Sequence, residues 1–153
     1  MKKFTYIDVL TEIRQFFHRH KMVNSFVDNQ TYDFQAKDNI YSAVILVPTT
    51  STVDGEAGTH LILNFDLYFV DRLTESNGNA KDVYNDELGI ALDFISYFSN
   101  RTDKWNLMTD ATLEPFEQKF DDLVGGWRLS CSVSLPFMKN VCDIPLEDEE
   151  WHS

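Results

Sequence analysis

Hydrophobic and polar residues alternate most strictly near the end of the chain. Between Trp127 and Leu135 every odd position is apolar and every even position is arginine or serine. A period of two predicts a β-strand with one buried face and one face of small hydroxyl groups. The run opens on Gly125-Gly126, which predicts a turn, and closes at Pro136, which cannot continue a central ladder. A face of serines with Arg128 offers little chemistry but lets another sheet approach closely, which favours a role in assembly.

Two segments carry apolar residues at helical spacing. Residues 5–19 predict a first helix, in which Thr5 caps the start and Asp8 follows three residues later. Residues 81–99 predict a second helix that ends at Asn100. The predicted apolar stripes are Tyr6, Val9, Leu10, Ile13, Phe16 and Phe17 in the first helix, and Tyr84, Leu88, Ala91, Leu92, Ile95 and Phe98 in the second.

Further β-rich segments lie between and after these helices. The longest, 60–72, places odd residues from Leu61 to Phe69 on a core face and Asn64, Asp66 and Tyr68 opposite. An imperfectly alternating segment that contains Pro115 predicts an edge strand or a bulged strand. The polar residues between the β-rich segments predict a hairpin loop, which is long enough to contact a neighbour. The remaining predicted boundaries are 22–28, 41–47 and 105–120 for strands, and 49–59 for the loop.

The order of elements predicts one α+β domain over residues 1–145, an antiparallel β-sheet with two helices packed on one face. A mixed edge of the sheet is left open. Residues 146–153 are too acidic to fold alone and are predicted to be a flexible tail. Trp151 in this tail is either an anchor that docks into a neighbouring protein or part of a disordered end. No apolar run approaches the ~20 residues of a membrane-spanning helix, so no membrane partner is expected.

Charge is distributed unevenly along the chain. The formal net charge is −12, with 13 basic and 25 acidic residues. Residues 1–21 nevertheless hold five lysines and arginines and only two acids. The overall balance argues against a nucleic-acid-binding surface, because contacts to phosphates need clustered Lys and Arg. The uneven distribution is typical either of subunits that contact head to tail through complementary patches or of an unevenly charged, solvated surface.

Residues that carry catalysis or bind metals do not form a recognisable pattern. His18 and His20 are two positions apart, which places them on different faces of a helix. No metal-binding, nucleophile-elbow or phosphate-loop motif is present, and adjacent acids such as Asp86-Glu87 are typical of a solvated surface. Cys131 faces the apolar side of its strand, and a disulfide with Cys142 is not expected in a reducing compartment. The sequence predicts no enzyme, no cofactor and no metal site.

Three segments of residues 60–145 carry a more specific pattern. The first is 63–73, a strand that ends in Asp71-Arg72-Leu73; the second is 83–93, the opening of the second helix. The third runs over 126–137 and is finished by Cys142-Asp143-Ile144-Pro145. Together they resemble the small tail-completion, or head–tail connector, proteins of tailed bacteriophages, especially phages of Bacteroidetes hosts, including crAss-like phages.

The resemblance implies a fold like that of tail terminators and a ring of six or twelve copies in the virion, where the portal joins the tail or the tail ends. The implied neighbours are portal, connector or tail proteins, and assembly would take place in the host bacterial cytoplasm. Double-stranded DNA would pass through the channel without specific binding, because an acidic lumen repels it. The family brings no catalytic residues.

Candidate subunit-interface residues lie on the basic first helix, the long loop, the two longest strands and the acidic tail. They are Arg14, Arg19, Lys21, Asp54, Glu56, Arg72, Arg128, Ser130, Ser132 and Trp151. An alternative function is a small cytosolic module that binds a ligand or a peptide, which would show a concave apolar pocket. A third class, a hydrolase with an unrecognised site, requires a cluster of buried titratable groups.

Overall fold

One mixed β-sheet and two helices form the described part of the chain. The computed structural model describes residues 6–28, 41–54, 60–74, 78–99, 106–107, 111–119, 123–136, 142 and 144–147. Seven strands are described, in the order β1-β2-β4-β7-β5, with β3 added to β4 and β6 added to β7. The elements are α1 (Tyr6–Arg19), β1 (Ser25–Asp28), β2 (Ala43–Pro48), β3 (Thr52–Asp54), β4 (His60–Arg72), α2 (Ala80–Ser99), β5 (Asn106–Leu107), β6 (Thr112–Lys119) and β7 (Leu123–Pro136).

The pairing pattern confirms the α+β class and resolves the question of the edge. Strands β1 and β2 run parallel, whereas every other described pair is antiparallel. The sheet is therefore antiparallel with a mixed edge. Pro115 lies in β6, which pairs only with β7 in the described sheet, so its predicted place on an edge strand is confirmed.

The centre of the sheet is the long pair formed by β4 and β7. The two strands pair from His60 opposite Pro136 to Arg72 opposite Val124. As the alternation predicts, the odd residues Leu63, Phe65, Leu67 and Phe69 of β4 are buried, and Leu129, Cys131, Val133 and Leu135 of β7 are buried on the same face.

Aromatic side chains join the helices to this face. Buried residues of both α1 and α2 belong to one cluster with the odd residues of β4 and β7. Phe17 of α1 is fully buried in this cluster. The centroid of its ring lies 5.8 Å from that of Phe69 and 5.6 Å from that of Phe94 in α2. Rings at these separations add specific contacts to the area that they bury, so α1, α2 and β4 share one phenylalanine-rich core.

The predicted turn at Gly125-Gly126 is wrong. Both residues lie inside β7 and pair with Asp71 and Val70 of β4. Gly126 has a φ of 155°, and a Cβ added there would lie 1.7 Å from the carbonyl oxygen of Phe69. The glycine is needed because two backbones approach closely inside the ladder, which is the other established use of glycine in a strand.

The predicted hairpin loop 49–59 is also partly wrong. Thr52–Asp54 form β3, which pairs with residues 60–62 of β4. Thr52 and Val53 have high β-propensity, and β4 extends far enough to pair with them and with Asp54. Residues 55–59 lie outside the described residues.

The apolar stripe of α2 has a different phase from the predicted one. Its buried residues are Val83, Glu87, Ile90, Ala91, Phe94 and Phe98, whereas Leu92 is 47% exposed. Apolar residues on neighbouring faces of α2 are compatible with two stripes, and packing against β4 and β7 selects one of them. Within the part of the chain that the structure describes, neither helix has the length and apolar character needed to cross a membrane.

Candidate assembly surface

The basic end of α1 is an exposed turn stabilised by its own backbone. His20 N donates to the carbonyl oxygens of Phe16 and Phe17, at 3.1 and 3.3 Å, which closes the last turn of the helix. Arg19 is the last residue of the helix, Lys21 lies in the following turn, and both are exposed. Cationic side chains here interact favourably with the carbonyl end of the helix.

Arg14 lies one helical turn before this end. Its guanidinium forms an ion pair with Asp28 of β1, with Nη2 and Oδ2 separated by 2.7 Å. The pair is partly exposed and fixes α1 against the edge strand, so Arg14 already has a partner within the subunit.

A cleft with an aromatic floor lies beside the basic turn. It has a volume of about 370 Å³ and is lined by Phe16, Arg19, His20, Lys21 and Tyr97. The rings of Phe16 and Tyr97 lie 4.8 Å apart, centroid to centroid. The cleft therefore combines an apolar surface with cationic side chains at its margin.

His20 forms a fixed wall of this cleft. Its Nδ1 accepts a hydrogen bond from Met22 N at 3.2 Å, and its Nε2 lies 2.8 Å from Oδ2 of Asp93 in α2. A ring nitrogen that accepts carries no proton, so the network assigns the hydrogen to Nε2, which donates to Asp93. The wall is thereby tied to both helices.

The serine-lined face of β7 is bonded within the sheet. Ser130 Oγ donates to Oδ1 of Asp66 at 2.9 Å, and Ser132 Oγ donates to Oδ1 of Asn64 at 2.5 Å. Arg128 forms an ion pair with Glu114 of β6 at 2.6 Å. These three predicted interface residues thus form a cross-strand polar ladder, and their groups already have partners inside the subunit.

The remaining predicted residues lie at the ends of strands or outside the described chain. Arg72 ends β4, and its guanidinium carbon lies 5.3 Å from the centroid of the Tyr41 ring, a cation–π geometry. Asp54 ends β3, which pairs with β4 at its outer end. Glu56 and Trp151 lie outside the described residues.

The structure therefore divides the predicted set between the two faces of the sheet. Arg128, Ser130 and Ser132 point away from the core cluster, because their odd-numbered neighbours belong to it. Arg14, Arg19 and Lys21 belong to α1 and its terminal turn, which pack on the core side. The two groups cannot form one continuous patch, since the sheet separates them.

Glu87 is buried, although adjacent acids such as Asp86-Glu87 are typical of a solvated surface. It is 1% exposed, and Ser42 Oγ donates to its Oε1 at 2.5 Å. Its Oε2 has no hydrogen-bond partner among the described residues. Burial raises the pKa of Glu87 to about 7, the bond from Ser42 opposes the shift, and Asp71 and Asp86 add to it. Its position four residues after Val83 and three before Ile90, on the apolar stripe, is the signal that could have located it.

Burial raises the pKa of Cys131 to about 12, so its thiol stays protonated and inert. Cys131 and Cys142 are both free thiols. Within the described ranges no three histidine, cysteine, aspartate or glutamate side chains form a group that could hold a metal ion.

No protein-family model matches the chain, and no curated protein shows significant similarity to it.

Proposed function

We propose that this chain is a virion structural protein, a ring-forming subunit of a bacteriophage neck or tail that joins the portal to the tail or terminates the tail. The observation that carries the proposal is the basic turn with its aromatic cleft on a chain of net charge −12. Such a chain presents a cationic, apolar contact surface to acidic copies of itself.

A ring needs two different surfaces on each subunit, because its contacts are heterologous and close only by rotation. The basic cleft is one such surface. Acidic side chains supply the other, and exposed ones occur on α2 at Asp82, Asp86 and Asp93 and on β6 at Glu114 and Glu117. Attraction between unlike surfaces orients neighbours head to tail, whereas identical surfaces would repel each other.

The negative balance also suits a channel for DNA. A duplex that must slide needs a wall without clustered Lys and Arg, since each phosphate contact adds affinity. If the basic turn is buried in the contacts between subunits, the surface that lines the channel is mainly acidic. Double-stranded DNA would then pass without specific binding.

The resemblance to phage tail-completion proteins supports the same proposal. Its three segments correspond to most of β4, residues 83–93 of α2 and most of β7. These elements share one core, so the resemblance concerns a packed unit and not scattered pieces. On this proposal the chain is assembled in the host cytoplasm and resides in the virion, next to portal, connector or tail proteins.

Light scattering of the purified chain tests the proposal. At about 50 mM salt we expect the measured mass to rise with protein concentration, from that of one subunit to that of a ring of six or twelve subunits. At about 500 mM salt the ring should dissociate, because the contact is between opposite charges. A chain that stays monomeric at all concentrations, and that also fails to bind portal and neck proteins, would contradict the proposal.

One observation favours the second candidate, a small ligand- or peptide-binding module. The aromatic cleft of about 370 Å³ falls in the size range of small-molecule sites. A binding module would saturate with its ligand as a monomer, without a change in mass. The same light-scattering titration therefore separates the two candidates.

A further inference from the structure

The cleft beside the basic turn continues into a second depression. The smaller cavity, of about 140 Å³, shares Phe16, Arg19 and Tyr97 with the larger one and is also lined by Glu12, Gln15 and Phe98. The two cavities thus form one groove, which we call the α1–α2 groove. A groove made of two adjoining cavities accepts an extended segment more readily than a compact ligand, because side chains along the segment can occupy both cavities.

The floor of the groove is pre-formed. The Phe16 ring lies 5.6 Å from the ring of Phe98 and 6.2 Å from that of Phe94, between ring centroids. Phe94 and Phe98 are at most 1% exposed, so the core holds them in place. Because these rings are already ordered, docking of an aromatic side chain on Phe16 and Tyr97 requires little further ordering of the groove itself.

Two exposed cationic side chains lie along the part of the groove margin that the basic turn forms. Arg19 and Lys21 are exposed, and no ion pair joins either to another residue in the part of the chain that the structure describes. His20, in contrast, is engaged by Asp93 and Met22. The groove therefore matches a segment that combines consecutive acids with one large aromatic residue.

The segment 147–151 has this composition, with the longest run of consecutive acids in the sequence. Residues 147–150 are Glu-Asp-Glu-Glu, and Trp151 follows them. The beginning of this segment is described and lies on the surface, with Leu146 72% exposed. Its four acids are opposite in charge to Arg19 and Lys21. An indole that stacks on an aromatic floor beside two cations is in a geometry that favours cation–π contact.

We infer that the α1–α2 groove binds the acidic segment 146–153 of a neighbouring copy, with Trp151 on the aromatic floor and the acids against Arg19 and Lys21. The assignment to a second copy rests on the proposed ring. Each subunit then offers its groove to one neighbour and its segment to the other, which is the heterologous arrangement that a ring requires.

Two full-length variants with complementary defects test this inference. The groove variant carries Arg19→Glu and Lys21→Glu, and the segment variant carries Glu149→Lys, Glu150→Lys and Trp151→Ala. We expect each variant alone to remain monomeric, because each lacks one half of the contact. Mixed in equal amounts they should form a 1:1 complex, since one intact groove meets one intact segment. Circular dichroism and the unfolding midpoint verify that both variants are folded.

Binding of a labelled peptide of residues 144–153 to the full-length segment variant gives a second measurement. Arg19→Glu, added to that variant, should weaken binding at least tenfold, which corresponds to about 1.4 kcal/mol. Lys81→Glu changes the charge equally at the opposite end of α2, about 24 Å from Tyr97 along the helix, and should leave binding unchanged. A peptide with Trp151→Ala should also bind at least tenfold more weakly.

Several results would overturn the inference. If the segment variant alone assembles like the parent chain, another contact builds the oligomer; the proposed function survives and the groove assignment is wrong. If the mixed variants stay monomeric while the parent blocks the labelled peptide at every concentration, the segment occupies its own groove and the assignment to a second copy is wrong. Equal peptide binding by the Arg19→Glu and Lys81→Glu variants would also refute the groove assignment.

Discussion

The buried carboxyl of Glu87 makes the stability of the folded protein depend on pH. Its pKa is about 7 in the folded protein because of burial, against an ordinary value of 4.5. Between these two values the folded state holds a proton that the unfolded chain has released. The contribution of Glu87 to stability therefore falls as pH rises from about 4.5 to about 7, by an amount on the order of 3 kcal/mol, and is constant above that range.

The Glu87→Gln variant tests this linkage. Glutamine is neutral and similar in shape, so the variant should match the parent at about pH 4 and exceed its free energy of unfolding at about pH 8 by up to roughly 3 kcal/mol. Urea unfolding across this pH range measures the difference. Asp86→Asn, at the exposed neighbouring position, is the control and should produce only a small change. A Glu87→Gln variant that is less stable than the parent at pH 8 would contradict the account.

Gly126 tests the close approach of β4 and β7. A Cβ at this position would lie 1.7 Å from the carbonyl oxygen of Phe69, and the φ of 155° disfavours other residues. Gly126→Ala should therefore lower the free energy of unfolding, as measured by thermal unfolding, by about 3 kcal/mol or more. Gly89 is the matched control, because nothing lies within 4 Å of its added Cβ. Gly89→Ala, in an exposed helical position, should stabilise the protein by up to about 1 kcal/mol. Equal effects at the two glycines would contradict the observed register.

At the scale of the elements, the outer face of β4 and β7 behaves as a bonded ladder. Ser130→Ala and Asp66→Ala should show a coupling energy of about 0.5–1.5 kcal/mol in a double-mutant cycle, the net value of one hydrogen bond. Ser134 lies on the same face opposite Ile62, so Ser134→Ala and Asp66→Ala should be additive. Chemical denaturation of the two cycles provides the comparison, and a coupling near zero for Ser130 and Asp66 would leave these hydroxyls open for a neighbour.

The elements differ in how much of them the sequence could predict. The period of two in β4 predicted both the bounds His60–Arg72 and the buried face, because one strong pattern extends over its whole length. In α2 the bounds were predicted within one residue, but the phase was not, since apolar residues occur on more than one face. Gly126 was assigned to a turn because glycine permits both turns and close approach, and only the partner strand distinguishes them.

The candidate site follows the same rule. The cationic residues at the end of α1 could be found from local charge, whereas the aromatic floor could not, because Phe16 and Tyr97 are 81 positions apart in the sequence. Ser130 and Ser132 were expected to face a neighbour, but their hydrogen bonds depend on the register of β4 and β7, which no local pattern specifies.

For the whole molecule, charge segregation has a consequence for assembly. Exposed Arg19 and Lys21 lie at the end of α1, while exposed acids occur on α2, on β6 and at Glu147. Contacts between such surfaces weaken with ionic strength, since the Debye length falls from about 10 Å at 0.1 M to about 3 Å at 1 M. A contact held mainly by buried apolar area would show little change over this range. The salt dependence of the assembled mass therefore reports how much of the contact is ionic.

Cryo-electron microscopy of intact particles of a phage that encodes this chain tests the proposed symmetric self-association around an axis. The account predicts that the sheet of β4 and β7, with α1 and α2 on it, repeats around the axis at the neck or at the end of the tail, with segment 146–153 of each copy in the groove of the next. Particles that assemble and carry DNA without any copy of this chain would contradict the claim.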